Sequence, residues 1–261
     1  MVFFFFLNKE EVPQIPEKPQ APVTIWGYFV ADTNIKSDIR NNIKTMYEGL
    51  SKMDKQATLL IYWDGGSSDS YLESSPSIIR YTTDGYGNIN GLAARDSSYS
   101  IRFICEQAET VKAYPSQLST DKDVMTSALK DMKSFSPTEK IVFVAGSHGS
   151  AWWKNITASA KSTRAFGQDG SNTENTITTP DMAEAIANAG VKLDLLLFDA
   201  CMMGTTEVCY DFRNVTNYML VSALDVPAPG FPYFNIMNSL YEGTTNHYTQ
   251  VAQSYINYYA T

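Results

Sequence analysis

The sequence predicts an α/β fold in which a mostly parallel central sheet is flanked by helices. Several short segments are nearly unbroken apolar runs, typical of strands buried on both faces of a parallel sheet, namely 57–63, 141–146 and 193–198. Segments with apolar residues at helical spacing lie between such runs. Strand and helix therefore alternate along the chain, as in α/β proteins. With 261 residues, 44% of them hydrophobic, the chain can bury a substantial core.

The first two strands and the helix between them are predicted from residues 23–63. The first buried strand covers 23–30 and the second covers 57–63. Ser37 or Asp38 is expected to cap the helix, because short polar side chains accept hydrogen bonds from the free amides of a first turn. The apolar stripe of this helix is expected to face the core and consists of Ile39, Ile43, Met46 and Leu50.

A surface excursion and a further helix precede the next buried strand. A short third strand is expected over 77–81, and the Gly-, Asn- and Ser-rich segment 81–102 is expected to be a surface excursion that includes a hairpin. Thr120 or Asp121 is predicted to cap the following helix. Its apolar face is expected to consist of Val124, Ala128, Met132 and Phe135.

The second half of the chain continues the alternation after a long polar segment. Residues 152–175 are rich in Ser, Thr, Asn and Gly, and loops of this length are uncommon unless they are functional. The cap at Thr178, first-turn Pro180 and closing Gly190 predict a helix between them. The remaining predicted elements are a helix over 206–214, a strand over 217–222, a cleft-wall loop over 225–233 and a C-terminal helix.

Two of the apolar runs end in chemically reactive residues. The run from Ile141 leads to His148, and the run from Leu193 leads to Cys201. Catalytic groups gather at the carboxyl ends of the strands in open parallel sheets, so these two side chains are expected to lie side by side. The chain has only two histidines and three cysteines, which leaves few other pairs of nucleophile and base. The pattern favours a Cys-His dyad.

The residue types fit nucleophilic catalysis of acyl transfer. A thiol becomes a useful nucleophile when an imidazole takes or shares its proton. Gly149 leaves its backbone N–H unobstructed, and this amide and that of Cys201 could form an oxyanion hole. Taken singly, a cysteine or histidine after an apolar strand is more often a packing residue. The other cysteines, Cys105 and Cys209, are expected to be such buried thiols.

Charge and composition exclude some partners. The net charge is −8, and the sequence has no cluster of Lys and Arg of the kind that binds phosphate groups. Nucleic acid is therefore not expected as a partner. Three irregularly spaced cysteines indicate neither a disulfide framework nor a zinc site, and no acidic cluster has the spacing of a calcium-binding EF-hand loop. We therefore expect that the protein requires no cofactor or metal. A requirement for calcium is possible, but no sequence pattern here would indicate it.

The N-terminal residues are predicted to lie outside the catalytic domain. Residues 1–7 form an apolar run too short to span a membrane and too incomplete for a standard signal peptide. The proline-rich segment 8–22 is typical of an extended tether. We interpret 1–22 as the remnant of an export signal followed by a tether, which favours an exported protein, and 23–261 as the catalytic domain.

Four motifs in this order resemble the clostripain family of cysteine peptidases. They are Ser-His-Gly-Ser-Ala-Trp at 147–152, Phe-Asp-Ala-Cys-Met-Met-Gly at 198–204, Glu-Val at 207–208 and Val-Pro-Ala-Pro-Gly-Phe-Pro-Tyr at 226–233. The resemblance implies a caspase-like α/β/α sandwich, related to caspases, legumains and gingipains. Relatives often continue into a further subdomain, so the chain is expected to be a minimal catalytic unit or a truncated one.

The resemblance also assigns roles by position. His148 becomes the general base, Cys201 the nucleophile and Asp199 the acidic residue of a pocket for a basic substrate side chain. Family members typically cleave after Arg or Lys, and a carboxylate suits a guanidinium because the two form parallel hydrogen bonds. The alternative for Asp199 is a purely structural role in the turn after the strand.

Two departures from the family pattern bear on specificity. Ala151 stands where the family usually has glycine, and Leu224 stands where it usually has glutamate. The neighbouring Asp225 is a candidate replacement for that glutamate in substrate binding.

The predicted function is that of a cysteine endopeptidase acting on peptides or proteins with basic residues. Some relatives cut themselves between the histidine and the cysteine, and the candidate processing sites here are Lys154, Lys161 and Arg164. A catalytically silent, surface-tethered binding protein and a thiol amidase stay open as alternatives. The sequence does not indicate the oligomeric state.

Overall fold

The protein is represented by a computed structural model that describes residues 16–67, 69, 71–94, 100–150 and 165–260. Within these residues a nine-stranded sheet has the order β12-β11-β7-β1-β2-β3-β4-β5, with β6 paired to β3. Its strands are β1 (Thr24–Val30), β2 (Ala57–Asp64), β3 (Ser77–Thr83), β4 (Asn88–Ile89), β5 (Leu92–Ala93), β6 (Glu109–Ala113), β7 (Ile141–Gly146), β11 (Leu193–Asp199) and β12 (Thr216–Leu220). The five strands from β12 to β2 are parallel, and β3 to β6 pair antiparallel. A small antiparallel sheet contains β8 (Gly149–Ser150), β9 (Ala165–Phe166) and β10 (Ile177–Thr178).

Helices cover both faces of the large sheet. One layer contains α1 (Lys36–Leu50), α2 (Ile101–Glu106), α6 (Tyr233–Glu242) and α7 (Thr245–Tyr259), and the other contains α3 (Lys122–Phe135), α4 (Thr179–Asn188) and α5 (Thr206–Phe212). Strand side chains alternate between the layers, as the two-residue period of a strand requires. In β7, for example, Val142 and Val144 join the core under α1 and α6, whereas Phe143 joins the core under α3 and α4. The α/β/α sandwich with a mostly parallel sheet is confirmed.

Some local predictions differ from the structure. Helix α1 begins at Lys36, and neither Ser37 nor Asp38 caps it; Ile35 is the N-cap and has no side-chain capping bond. The backbone amide of Ile35 instead donates to Thr33 Oγ1 at 3.1 Å, which stabilises the entry to the helix one turn earlier. Asp121 caps α3 as predicted, and Ala128 and Met132 of the predicted apolar face are buried; Met125 and Leu129 are buried as well, whereas Val124 and Phe135 are only partly buried.

Two further differences concern single residues. Cys209 is exposed, whereas it was predicted to be a buried thiol like Cys105. Helix α5 turns Val208 and Phe212 towards the core, and the next position after Val208 points about 100° away from that face.

The end of the predicted tether also packs on the domain, because Ala21 is buried and its amide donates to the Gln56 carbonyl at 2.7 Å. Among the described residues, no helix has the length and apolar character needed to cross a membrane.

Candidate active site

The candidate site lies where β7 and β11 leave the sheet side by side. The two strands are parallel neighbours, and their register aligns Asp199 with Gly146. The segments that follow, with His148 on one and Cys201 on the other, therefore start at the same sheet edge. Both side chains line one cavity of about 160 Å³. The structure thus brings together the two residues that the sequence placed at strand ends.

Gly149 lets the two segments approach closely. A Cβ atom built on Gly149 would lie 2.5 Å from the Cys201 carbonyl oxygen and 3.1 Å from the Cys201 amide nitrogen. Gly149 does not adopt a left-handed backbone conformation, so it is required here for space rather than for its backbone angles. The backbone of Gly149 therefore passes directly over that of the candidate nucleophile.

The Cys201 thiol is enclosed by the loop after β12. The Val226 amide donates to Cys201 Sγ at 3.4 Å, and Sγ lies 3.7 Å from the Val226 carbonyl oxygen. Burial raises the pKa of the thiol above its usual range; the Val226 amide opposes this shift, and the nearby Asp225 carboxylate adds to it. Cys201 therefore rests as a neutral thiol at neutral pH.

His148 is held on its far side by a second loop. Its Nε2 lies 2.8 Å from Asn34 Oδ1, in the segment that joins β1 to α1. Partial burial lowers the pKa of the imidazole below its usual range, which favours the neutral ring. Within the described residues the thiol bonds to Val226 and Asp225 and Nε2 bonds to Asn34, so Cys201 and His148 rest as a neutral pair that faces one cavity.

This resting state predicts how Cys201 reacts with an alkylating reagent. We expect the iodoacetamide reaction rate of Cys201 to rise with pH through pH 9, because the thiol pKa is raised and the reactive thiolate forms only at alkaline pH. Mass spectrometry of the modified peptide at a series of pH values measures this rate, and the exposed Cys209 serves as an internal reference. A rate plateau below pH 7 that disappears in His148→Ala would instead show a resting thiolate-imidazolium pair.

Asp199 is the acidic residue of the cavity. Within the described residues it is the only carboxylate that lines the cavity, and it is 8% exposed. Its Oδ2 accepts hydrogen bonds from Asn42 Nδ2 at 3.0 Å and from the Tyr233 hydroxyl at 2.8 Å. Burial raises the pKa of Asp199 to about 6, and the bonds from Tyr233 and the Phe231 backbone limit this rise. The carboxylate is therefore mostly ionised at pH 7 and also ties α1 and α6 to the end of β11.

The surroundings of Asp199 consist of a glycine backbone and apolar side chains. Gly230 has φ of 67°, and a Cβ built on it would lie 2.8 Å from both Asp199 Oδ1 and Asn42 Nδ2. The Gly230 backbone therefore packs against the buried carboxylate, and any side chain at this position would collide with it. The apolar part of the cavity lining comes from Ile35, Ile39, Ala200, Val226, Pro227 and Ala228. The predicted cleft wall at 225–233 accordingly lies beside the thiol.

The other predicted site residues lie elsewhere. Asp225 is exposed beside the thiol and is not among the residues that line the cavity. The processing candidates Lys154, Lys161 and Arg164 fall in 151–164, which lies outside the described residues, as does Ala151. In the described part of the chain, no group of three or more His, Cys, Asp or Glu side chains is arranged to hold a metal ion.

Sequence reasoning missed two residues that contact the predicted ones. Asn34 bonds to His148, and Asn42 bonds to Asp199 across 157 positions of sequence. Asn34 follows β1 at the same sheet edge as the dyad, so the rule that placed His148 and Cys201 also applies to it. No signal in the sequence indicates Asn42, which belongs to the buried face of α1.

A parallel sheet with thiol and imidazole at adjacent strand ends defines the class of caspase-like cysteine peptidases. The sequence profile of the clostripain family matches residues 27–261. The chain therefore belongs to the clostripain family.

Individual relatives agree with this assignment. Clostripain from Hathewaya histolytica is 25% identical over 254 residues, which cover 90% of this chain and 46% of that protein. A secreted C11 cysteine protease from Bacteroides thetaiotaomicron, solved with an irreversible peptide inhibitor, has a TM-score of 0.70 and 26% identity, over 92% of this chain and 59% of that one. An inactive zymogen C11 protease from Parabacteroides distasonis shares the fold, with a TM-score of 0.69 and 22% identity, over 94% of this chain and 60% of that one. The chain thus spans about half the length of clostripain and three fifths of each solved relative.

Proposed function

We propose that the protein is a cysteine endopeptidase that hydrolyses peptide bonds after Arg or Lys, with Cys201 as nucleophile and His148 as general base. The observation that carries this proposal is the single cavity lined by Cys201, His148 and the buried carboxylate of Asp199. The carboxylate would pair with the substrate guanidinium or ammonium group, while the apolar walls contact its aliphatic stem.

In the proposed first half-reaction the thiol attacks the scissile carbonyl carbon. The thiol proton moves to the free ring nitrogen of His148 as the carbon–sulfur bond forms. The carbonyl oxygen gains negative charge and accepts hydrogen bonds from the amides of Gly149 and Cys201. The carbon–nitrogen bond then breaks, and His148 gives its proton to the departing amine.

The second half-reaction releases the acyl group. Water attacks the thioester while His148 removes one of its protons. The carbon–sulfur bond then breaks, and the proton returns to Cys201. All these steps use side chains and backbone amides of this chain, so we propose that no cofactor takes part in the chemistry. Adding a chelator to the assay measures any separate dependence on Ca²⁺.

The test is hydrolysis of a peptide panel with Arg, Lys, Asp, Asn or Ala before the scissile bond. We expect cleavage after Arg and Lys, and we expect Cys201→Ala to reduce it by at least about 1000-fold because the covalent route is lost. The folded state of the variant is checked by circular dichroism. Cleavage that persists in Cys201→Ala, or that favours Asp, Asn or Ala, contradicts the proposal.

Further results of the same experiment address the alternatives and self-processing. A folded protein that cleaves no member of the panel but binds peptides indicates a silent binding protein, and hydrolysis of simple amides alone indicates an amidase.

We also propose self-processing after Lys154, Lys161 or Arg164, since these basic residues lie between His148 and Cys201. Wild-type fragments that end at one of these residues, and that are missing from the Cys201→Ala sample, are the expected result. The secreted relative from Bacteroides thetaiotaomicron supports our further proposal that this protein is exported.

A further inference from the structure

The loop that joins β1 to α1 reaches the proposed catalytic base. Strand β1 pairs with β7 in parallel, with Phe29 opposite Gly146, so this loop leaves the sheet beside the segment that carries His148. Asn34 is the residue of the loop that meets the imidazole, with 2.8 Å between its Oδ1 and His148 Nε2. No other described side chain forms a hydrogen bond with Nε2. Asn34 therefore fixes the far edge of the ring.

The backbone of this loop is held in place from several directions. The Ala31 amide donates to the Asp64 carbonyl at 2.7 Å, which fixes the start of the loop to the end of β2. The Gly170 amide donates to the Asp32 carbonyl at 3.0 Å, and the Ile35 amide donates to Thr33 Oγ1 at 3.1 Å. The base itself is anchored from the same strand, since Ser147 Oγ donates to the Val30 carbonyl at 2.7 Å. The segments that carry Asn34 and His148 are therefore both fixed to the end of β1.

The chemistry of an amide oxygen determines which ring nitrogen keeps the proton. A carbonyl oxygen only accepts, so the hydrogen bond to Asn34 requires a proton on His148 Nε2. A neutral imidazole carries one N–H, which leaves Nδ1 with its lone pair free to take the thiol proton. The same bond stabilises the imidazolium after proton transfer, because the N–H donor then carries part of the positive charge.

We propose that Asn34 is a positioning residue that holds His148 in the Nε2–H tautomer and fixes the orientation of its ring. This inference rests on the proposed function, in which His148 is the general base. Asn34 itself does not line the cavity, and its hydrogen bond goes to His148, so it acts on the site through His148. Its side chain is exposed, and its replacement is therefore expected to change catalysis far more than stability.

The first measurement is the tautomer itself, which does not depend on substrate cleavage. In ¹⁵N-histidine-labelled Cys201→Ala protein, the ring nitrogen shifts distinguish Nε2–H from Nδ1–H, and only two histidines contribute. His247→Gln identifies the second signal. We expect His148 to be almost entirely the Nε2–H form, and we expect a mixture of tautomers when Asn34→Ala is added. A His148 spectrum that Asn34→Ala leaves unchanged overturns the proposal.

The second measurement is the pH dependence of kcat and KM on an Arg peptide. Asn34→Ala is expected to lower kcat by about 10- to 100-fold with little change in KM, because the base is misplaced while the pocket is intact. Asn34→Asp keeps an acceptor and adds a charge, so it should recover most of kcat and move the acid limb of the profile to higher pH. Ser37→Ala, an exposed change at the start of α1, is the matched control and should match wild type.

The two measurements separate this inference from the proposed function. If no peptide is cleaved but Asn34→Ala changes the tautomer of His148, the contact stands and the peptidase proposal fails. If peptides are cleaved and Asn34→Ala lowers kcat no more than Ser37→Ala does, the positioning role fails and the peptidase proposal stands. A loss of kcat that Asn34→Asp does not recover, with an unchanged acid limb, also contradicts the positioning role.

Discussion

Replacing Asp199 with asparagine is expected to lower kcat/KM for peptides with Arg or Lys before the scissile bond by about 100- to 1000-fold. Cleavage after neutral residues is expected to change much less, so the preference for basic residues collapses. The physical reason is that Asp199 is the only carboxylate among the described residues that line the cavity, and a buried cation left without its anion is costly.

The same substitution is expected to stabilise the folded protein near neutral pH. Burial raises the pKa of Asp199 to about 6 from an ordinary value of 3.8, so the folded state disfavours the ionised carboxyl. Below about pH 4 the carboxyl is protonated in both the folded and the unfolded state, and the folded protein has its full stability. As the pH rises through 6, the carboxyl ionises in the folded protein and stability is lost. Ionisation therefore costs about 3 kcal/mol at pH 7, and asparagine removes this cost.

Urea unfolding at pH 4 to 8 tests the stability effect. The gain of Asp199→Asn over wild type should be largest above pH 6 and should fade towards pH 4. Asp225→Asn is the matched control, since Asp225 is exposed beside the thiol. It should leave the unfolding free energy nearly unchanged and retain most of the preference for Arg. A larger specificity loss in Asp225→Asn than in Asp199→Asn would transfer the pocket role to Asp225.

Gly149→Ala is expected to reduce kcat/KM on every cleaved peptide by about 100-fold or more. The added methyl group would lie 2.5 Å from the Cys201 carbonyl oxygen and 3.0 Å from Ala200 Cβ, so the two backbone segments must separate. A shift of about 1 Å in the relative positions of the nucleophile, the base and the oxyanion-binding amides is enough for a loss of this size. The loss should fall mainly on kcat, because the cavity around Asp199 is not filled.

The control for this experiment is a glycine that has a similar steric conflict but does not line the cavity. Gly27 lies in the middle of β1, and a Cβ built there would lie 2.8 Å from a ring carbon of Phe29. Gly27→Ala should therefore cost stability, of order 1–3 kcal/mol, without a selective loss of kcat. Equal loss of kcat in both variants at matched stability would indicate general overpacking rather than displacement of the site. Thermal unfolding and kcat/KM are measured for both variants.

The sequence predicted the centre of the fold because its physical signal is local. Strands β7 and β11 are buried on both faces, and only nearly unbroken apolar runs satisfy that environment. The start of α1 could not be predicted in the same way. The Thr33 hydroxyl accepts a hydrogen bond from the Ile35 amide just before the helix, and the Ile35 side chain at the N-cap carries no polar group for a pattern to detect.

The residues of the candidate site likewise fall into those that the sequence could predict and those that it could not. Cys201 and His148 are accessible from the sequence because reactive residues at strand ends converge in any parallel sheet. The contacts of Asn42 and Tyr233 with Asp199 are not, although Tyr233 lies in the motif at 226–233, since both approach Asp199 from helices whose packing against β11 depends on the whole sandwich. The neutral state of Cys201 and His148 could not be predicted either, because the pKa values of the thiol and the imidazole depend on burial that only the assembled loops create.

The strand order also determines when during synthesis the site can first exist. Strand β1 lies near the middle of the sheet; β2 joins one side of it, and β7, β11 and β12 extend the other side in chain order. The chain emerges from the ribosome with its N-terminus first, so an unfinished chain lacks its later strands. The strand that leads to Cys201 pairs with β7 only after about three quarters of these 261 residues have been made. A nascent chain thus carries His148 before Cys201 has been made, and under the proposed function its own peptide bonds meet no assembled site until the central strands have docked.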